Sequence, residues 1–224
     1  MSVIAKPIFS GTRAHQPEKK YSAVAQKILQ VAICDFDEGG FLNSSISAIA
    51  EHAGISKSLV TYYFPTKAAL AAAIMNLAHP GGVFMGVKRD QADPLAAIVH
   101  AVVHVASSVA HLGLARVALK LRNTPELSNE SSSVPYHGWL TRITDYLDEA
   151  QRSGLVFENV DVETESRRLV ACLVGLTTLA IRTGDFMFLV DDAEALTRQR
   201  IDTLTSSGRR DGETFHRRAV HHDF

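Results

Sequence analysis

The sequence predicts an all-α chain: a small N-terminal helical unit followed by a larger helical domain. Three observations carry this. Apolar residues recur at helical spacing through most of the 224 residues, no stretch alternates with period two between hairpin turns, and Ser, Asp and Gly stand where helices should start and stop.

Taken in order, residues 1–17, with Pro7, Gly11 and Pro17, read as a flexible arm. A first helix is expected over about 18–38, with Val24, Ile28, Leu29, Val31, Ala32 and Phe36 on its apolar side. Gly39 and Gly40 end it, because glycine takes the left-handed cap conformation without a Cβ clash. Ser44 or Ser45 caps a short second helix to His52 that turns Ile46, Ile49 and Ala50 inward. Ala53, Gly54 and Ile55 form a tight turn, Ser56 caps a third helix through Tyr63, and a fourth runs from Thr66 to about Ala78. Pro80, Gly81 and Gly82 break the pattern, so a hinge is expected between residues 80 and 93.

Beyond it, Asp93 and Pro94 open a helix to about His111, since proline at the first helical position loses no needed donor. A shorter helix covers 113–121, and 123–134 reads as a polar loop. The stretch 135–153 carries Trp139, Ile143, Tyr146, Leu147 and Ala150 at helical spacing and stops at Gly154. Asp161 caps an unusually apolar helix to about Thr183, and Asp191 with Glu194 reads as a capping-box start for a last helix ending near Ser206. These two late helices carry more apolar surface than a lone bundle buries, so they are expected to pair with a second copy as a homodimer. The tail 207–224 is polar and expected to be disordered. The domains are read as 18–79 and 80–206.

Composition narrows the function classes. With 46% hydrophobic and 21% charged residues, the chain is neither fibrous nor disordered. No apolar run is read as reaching the roughly 18 residues that cross a bilayer, and the first twenty residues lack a secretory apolar core, so a cytoplasmic protein without a membrane partner is expected. Cys34 and Cys172, far apart and without CxxC spacing, read as two reduced core thiols. The formal net charge of −1 argues against nucleic acid, but the first seventy residues hold seven Lys or Arg against five acids, a mild basic excess.

Two short helices joined by a glycine turn make a core corner as readily as a DNA reader. The third helix favours the reader. Between inward positions expected at Leu59 and Phe64 it presents Ser56, Lys57, Ser58, Thr61, Tyr62 and Tyr63, hydroxyls and one cation suited to phosphates and base edges. Thr66 and Lys67 add a helix N-terminus, which attracts anions, and Ser44 and Ser45 complete the candidate DNA-contacting set.

The run Ile28-Leu29-x-x-Ala32, Phe36, Gly39-Gly40-Phe41, Ser44-Ser45, Ile49-Ala50-x-x-Ala53-Gly54-Ile55-Ser56-Lys57 and Tyr62-Tyr63-Phe64-Pro65-Thr66-Lys67-x-x-Leu70 resembles the N-terminal domain of TetR-family transcriptional regulators. The resemblance implies a three-helix helix-turn-helix domain, a double-stranded operator as partner, residues 56–64 in the major groove and the Thr66 helix braced behind them. It departs at Thr61, where many members carry an aromatic residue, and at Leu59-Val60, which replaces a common Thr-Leu pair.

The second domain is expected to bind a ligand and to dimerise. Leu119-Lys120-Leu121-Arg122, a polar loop, Pro135-Tyr136-His137-Gly138-Trp139, Gly154-Leu155, Val160-Asp161 and Leu169-Val170-x-x-Leu173-Val174-Gly175 resemble the gamma-butyrolactone receptor branch of that family. A lone tryptophan on a helix is as readily core as ligand platform. The resemblance implies that Trp139 covers a lactone or furan ring, with Arg122 and Thr177 at the ligand's polar end; Thr177 stands where the branch often has Gln. No cofactor is implied.

His100, His104 and His111 share one helical face, the first two at metal-ligand spacing, but no carboxylate or Cys cluster accompanies them, so they read as pocket-lining or solvated side chains sooner than as a metal sensor; a regulator of another ligand class, a different small apolar molecule or a metal, is the alternative. An enzyme is the main rival class; the chain has no GxSxG, no phosphate-cradling glycine loop and no HExxH. An architectural DNA binder would need a more basic surface. The expected behaviour is release of a dimeric repressor from a pseudo-palindromic operator by a small molecule, with the fourth helix and the 80–93 hinge as relay.

Overall fold

The computed structural model describes residues 21–78, 93–127 and 134–205, and among them every regular element is helical apart from an isolated bridge between Val156 and Thr205. The expected arm 1–17, the tail 207–224 and most of the 80–93 hinge lie outside the described residues.

The N-terminal unit comprises α1 (Ala23–Glu38), the single turn α2 (Gly40–Asn43), α3 (Ile46–His52), α4 (Lys57–Tyr63) and α5 (Lys67–Ala78). α1 starts later than expected. Ser22 is not helical, and its hydroxyl accepts the Ala25 amide at 3.2 Å, so this cap sets the start. The glycine pair does more than stop α1: Gly40, at φ +74°, opens α2, a turn absent from the sequence reading. Gly54, at φ +62°, makes the turn between α3 and α4. Leu59 is only half-buried; Val60, fully buried, anchors α4 with Phe64.

The larger domain comprises α6 (Pro94–His111), α7 (Gly113–Arg122), a 3-10 turn (Pro125–Leu127), α8 (Val134–Arg152), α9 (Val162–Thr183) and α10 (Leu189–Leu204). α6 lies against α8 and α10, and α8 against α9. α6 also corrects the membrane reading: it spans 18 residues at a mean hydropathy of 1.4, long and apolar enough to cross a bilayer, yet half of it is buried inside the protein. α10 begins at Leu189, two residues before the expected capping box. Asp191 and Asp192 sit within its first turn, where the helix dipole favours acids, and no side chain caps it.

Two apolar clusters result. One fills the larger domain around Trp139, Ile143, Leu147 and Leu189. The other fills the N-terminal unit around Ile28, Phe36, Ile49, Val60 and Leu70, and it includes Val117, Leu121 and Leu127 from the larger domain. α7 is thus core to both halves. Neither cysteine is a core thiol as expected: Cys34 is exposed and Cys172 half-buried, both free, and partial burial pushes both thiols up.

Candidate functional site

The outer surface of the N-terminal unit is built by caps. Ser45 accepts the Ala48 amide at 3.1 Å and starts α3; Ser56 accepts the Leu59 amide at 3.3 Å and starts α4. With Val60 and Phe64 holding α4 from behind, its other face is left open. Lys57, Ser58 and Tyr62 are exposed on it, Tyr62 at 78%, with its ring edge-on to Tyr63 at 5.3 Å.

Other expected DNA contacts are occupied inside the protein. Thr61 donates its hydroxyl back to the Lys57 and Ser58 carbonyls, at 3.1 and 3.0 Å, a common helical self-bond. Thr66 accepts the Ala69 amide at 3.0 Å and remains exposed at the start of α5. Ser44 donates to the Gly40 carbonyl at 2.8 Å. Lys67 departs most from expectation. Its Nζ donates to the Phe41 and Ser44 carbonyls at 2.6 and 2.8 Å and lies 4.3 Å from the Phe41 ring centroid, so it ties α5 to the α2 turn.

In the larger domain, Trp139 is 1% exposed and meets Tyr136 edge-on at 5.5 Å. Tyr136 in turn donates towards Asn123 Oδ1 at 3.5 Å and lies close enough to Arg122 to feel its charge. Burial pushes the Tyr136 phenol up and the Arg122 guanidinium down. Arg122 and Trp139 are therefore joined through Tyr136, whose part was not legible beyond its place in a motif. Thr177 is also buried, but its hydroxyl already donates to the Leu173 and Val174 carbonyls at 2.9 and 3.1 Å. His100 and His104 are exposed on α6, and among the described residues no three His, Cys, Asp or Glu are grouped to hold a metal.

The two regions are bolted together at α7. Arg116 Nε donates to both Asp37 carboxylate oxygens, at 3.1 and 3.0 Å, and its Nη1 donates to the Val109 carbonyl at 3.2 Å. Lys120 adds a 2.7 Å pair to Asp37, and the Arg116 guanidinium lies 5.0 Å from the Phe186 ring. Burial raises the Asp37 carboxyl, but hydrogen bonds and charge from Arg116 and Lys120 outweigh it and hold the group below the usual carboxylate range. On the other side of α7, Arg122 Nη2 donates to the Met75 carbonyl in α5 at 3.2 Å.

α9 and α10 present an outward cleft of about 350 Å³ lined by Arg168, Leu169, Cys172, Leu196 and Arg200. Leu179 and Leu196 are exposed on these helices, and Glu165, nearly buried, bonds Arg168 and Arg200.

An open-faced α4 on a capped three-helix frame, backed by a separate helical core, defines the class: a helix-turn-helix domain on a larger all-helical domain. Comparison with known proteins narrows this. Residues 28–74 match the bacterial regulatory proteins of the tetR family. The A-factor receptor protein of Streptomyces griseus is 25% identical over 151 residues, covering 67% of this chain and 52% of that protein. The HTH-type transcriptional regulator RutR of Escherichia coli (strain K12) is 43% identical over 54 residues, 24% of this chain and 26% of that one. The chain thus spans about half the length of the first relative and a quarter of the second. A crystal structure of a gamma-butyrolactone receptor (ArpA-like protein) shares the fold at a TM-score of 0.61 and 22% identity, over 79% of this chain and 96% of that one. Residues 28–74 are thus similar to the N-terminal domain of the tetR family, and the fold as a whole is similar to that of a gamma-butyrolactone receptor.

Proposed function

We propose that the protein is a dimeric transcriptional repressor that binds a pseudo-palindromic operator and is released by a small signalling molecule of the gamma-butyrolactone or furan type. The observation that carries this is the open face of α4, where Lys57, Ser58 and Tyr62, 78% exposed, stand on the capped helical frame. A buried scaffold helix gains nothing from such donors; a helix entering the major groove needs them. The second copy docks through α9 and α10, covering Leu179 and Leu196, so that the two α4 helices meet successive major grooves about 34–36 Å apart.

Release follows from α7. A ligand beside Trp139 acts on Tyr136 and Arg122, and Arg122 touches α5 directly through the Met75 carbonyl. The Arg116 and Lys120 bonds to Asp37 carry any movement of α7 to α1. The relay therefore runs through α7 into both α1 and α5, and not only through the chain connection after α5. To empty most of the operator, the ligand must favour the released arrangement by several kcal/mol.

The test is operator selection from random duplexes, followed by binding titrations at several salt concentrations with and without alkyl lactones and furans. Salt-dependent, sequence-selective binding that one of these compounds abolishes is expected. Binding without sequence preference, or selective binding that none of them alters, overturns the corresponding half of the reading.

A further inference from the structure

We infer that Tyr146 is the hydrogen-bond donor for the polar end of the effector, an assignment that rests on the effector reading above. Tyr146 stands two turns after Trp139 on the same face of α8, inside the apolar cluster of the larger domain. It is 7% exposed, and its Oη is buried with no hydrogen-bond partner among the described residues. A buried hydroxyl left unsatisfied costs about 1–3 kcal/mol, and phenylalanine would fill the same space without that cost. The hydroxyl is explained if a partner arrives that is not part of the folded chain.

The two polar groups named above for that role are bonded within the fold. Thr177 donates into its own helix, and Arg122 reaches the Met75 carbonyl on the α5 side. Tyr146 is committed to neither. Long helical side chains lean towards the helix N-terminus, and the Arg142 guanidinium one turn earlier lies 5.9 Å from the Tyr146 ring. Two helical turns put about 10 Å between Tyr146 and Trp139, a span that a small molecule can bridge. The pair fits a small molecule with a flat or apolar part against the indole and an acceptor oxygen, such as a lactone carbonyl, at the phenol. Loss of that single bond is worth about tenfold in affinity.

The experiment compares the full chain with Tyr146→Phe, using two probes: an alkyl-substituted gamma-butyrolactone and its cyclopentane analogue, which lacks the carbonyl and the ring oxygen. Trp139 fluorescence reports binding, and thermal unfolding of the ligand-free proteins is measured alongside. The expected result is unchanged or higher Tm for the variant, about tenfold weaker lactone binding, and equal binding of the carbonyl-free analogue. Equal lactone affinity in both proteins overturns the Tyr146 assignment while leaving the effector reading intact. A lower Tm for the ligand-free variant also overturns it, because the hydroxyl then has a partner within the fold. If the wild-type chain binds neither probe, the lactone reading itself falls and takes the assignment with it.

Discussion

At the scale of single residues, Lys67 and Tyr62 show how two residues of similar promise divide between frame and surface. Both sit in the matched N-terminal stretch, yet Lys67 satisfies carbonyls of the α2 turn while Tyr62 points away from the fold. Lys67→Met should therefore lower stability by about 1–3 kcal/mol, read by urea or thermal unfolding, because it strands charge-assisted bonds to the Phe41 and Ser44 carbonyls. Tyr62→Ala should leave the unfolding midpoint almost untouched. It should instead weaken operator binding about tenfold in a mobility-shift titration, with lactone binding unchanged. A Tyr62 variant that unfolds early would place the ring in the core and contradict its exposure.

At the scale of elements, α4 is held by short-range devices. α4 is only seven residues long, too short to persist alone, so its geometry depends on the Ser56 cap, the Gly54 turn and the Val60 anchor. Gly54→Ala forces a Cβ into the left-handed region at φ +62° and should cost about 1–2 kcal/mol, although open space surrounds the position. Circular dichroism melting would show the loss. Operator affinity should fall with it even at temperatures where the chain stays folded, since the α3 to α4 angle is what presents the surface. α7 is the other decisive element. It contributes Val117 and Leu121 to the N-terminal core and belongs in sequence to the larger domain, so the two halves cannot separate without opening that core.

At the scale of the whole molecule, the Asp37 network joins the two halves, and the proposed dimer sets a second copy against α9 and α10. The Asp37 carboxyl titrates lower in the folded chain than when unfolded, so its contribution to stability is fully present above the ordinary carboxylate pKa and is lost as pH falls through and below it. Wild type should lose stability on acidification below about pH 4 more steeply than Asp37→Asn, which has already lost the charge; matching acid limbs in unfolding curves would remove the network from the stability account. Leu179→Glu with Leu196→Glu should yield a monomer in sedimentation and weaken operator binding by about hundredfold or more, because one half-site no longer holds the other in place.

What was legible in the sequence is what depends on local pattern and on single positions. Helical periodicity marked the α6, α8 and α9 regions, Ser56 and Asp161 declared their caps, the pair Ser44 and Ser45 narrowed a third to two positions, and Gly154 declared its stop, because each of these acts within one or two turns of backbone. The match over residues 28–74 was legible for the same reason, since a short rigid domain constrains nearly every residue. The tertiary structure alone decided which polar groups are spent and which are free. Lys67 turned inward because three carbonyls converge on it from 23 to 26 residues away, and Asp37 found Arg116 and Lys120 about eighty residues on. Among the described residues, the packing of whole helices leaves the Tyr146 hydroxyl without a hydrogen-bond partner. Hydrogen bonds and burial at such separations depend on how helices cross, and no local pattern encodes a crossing.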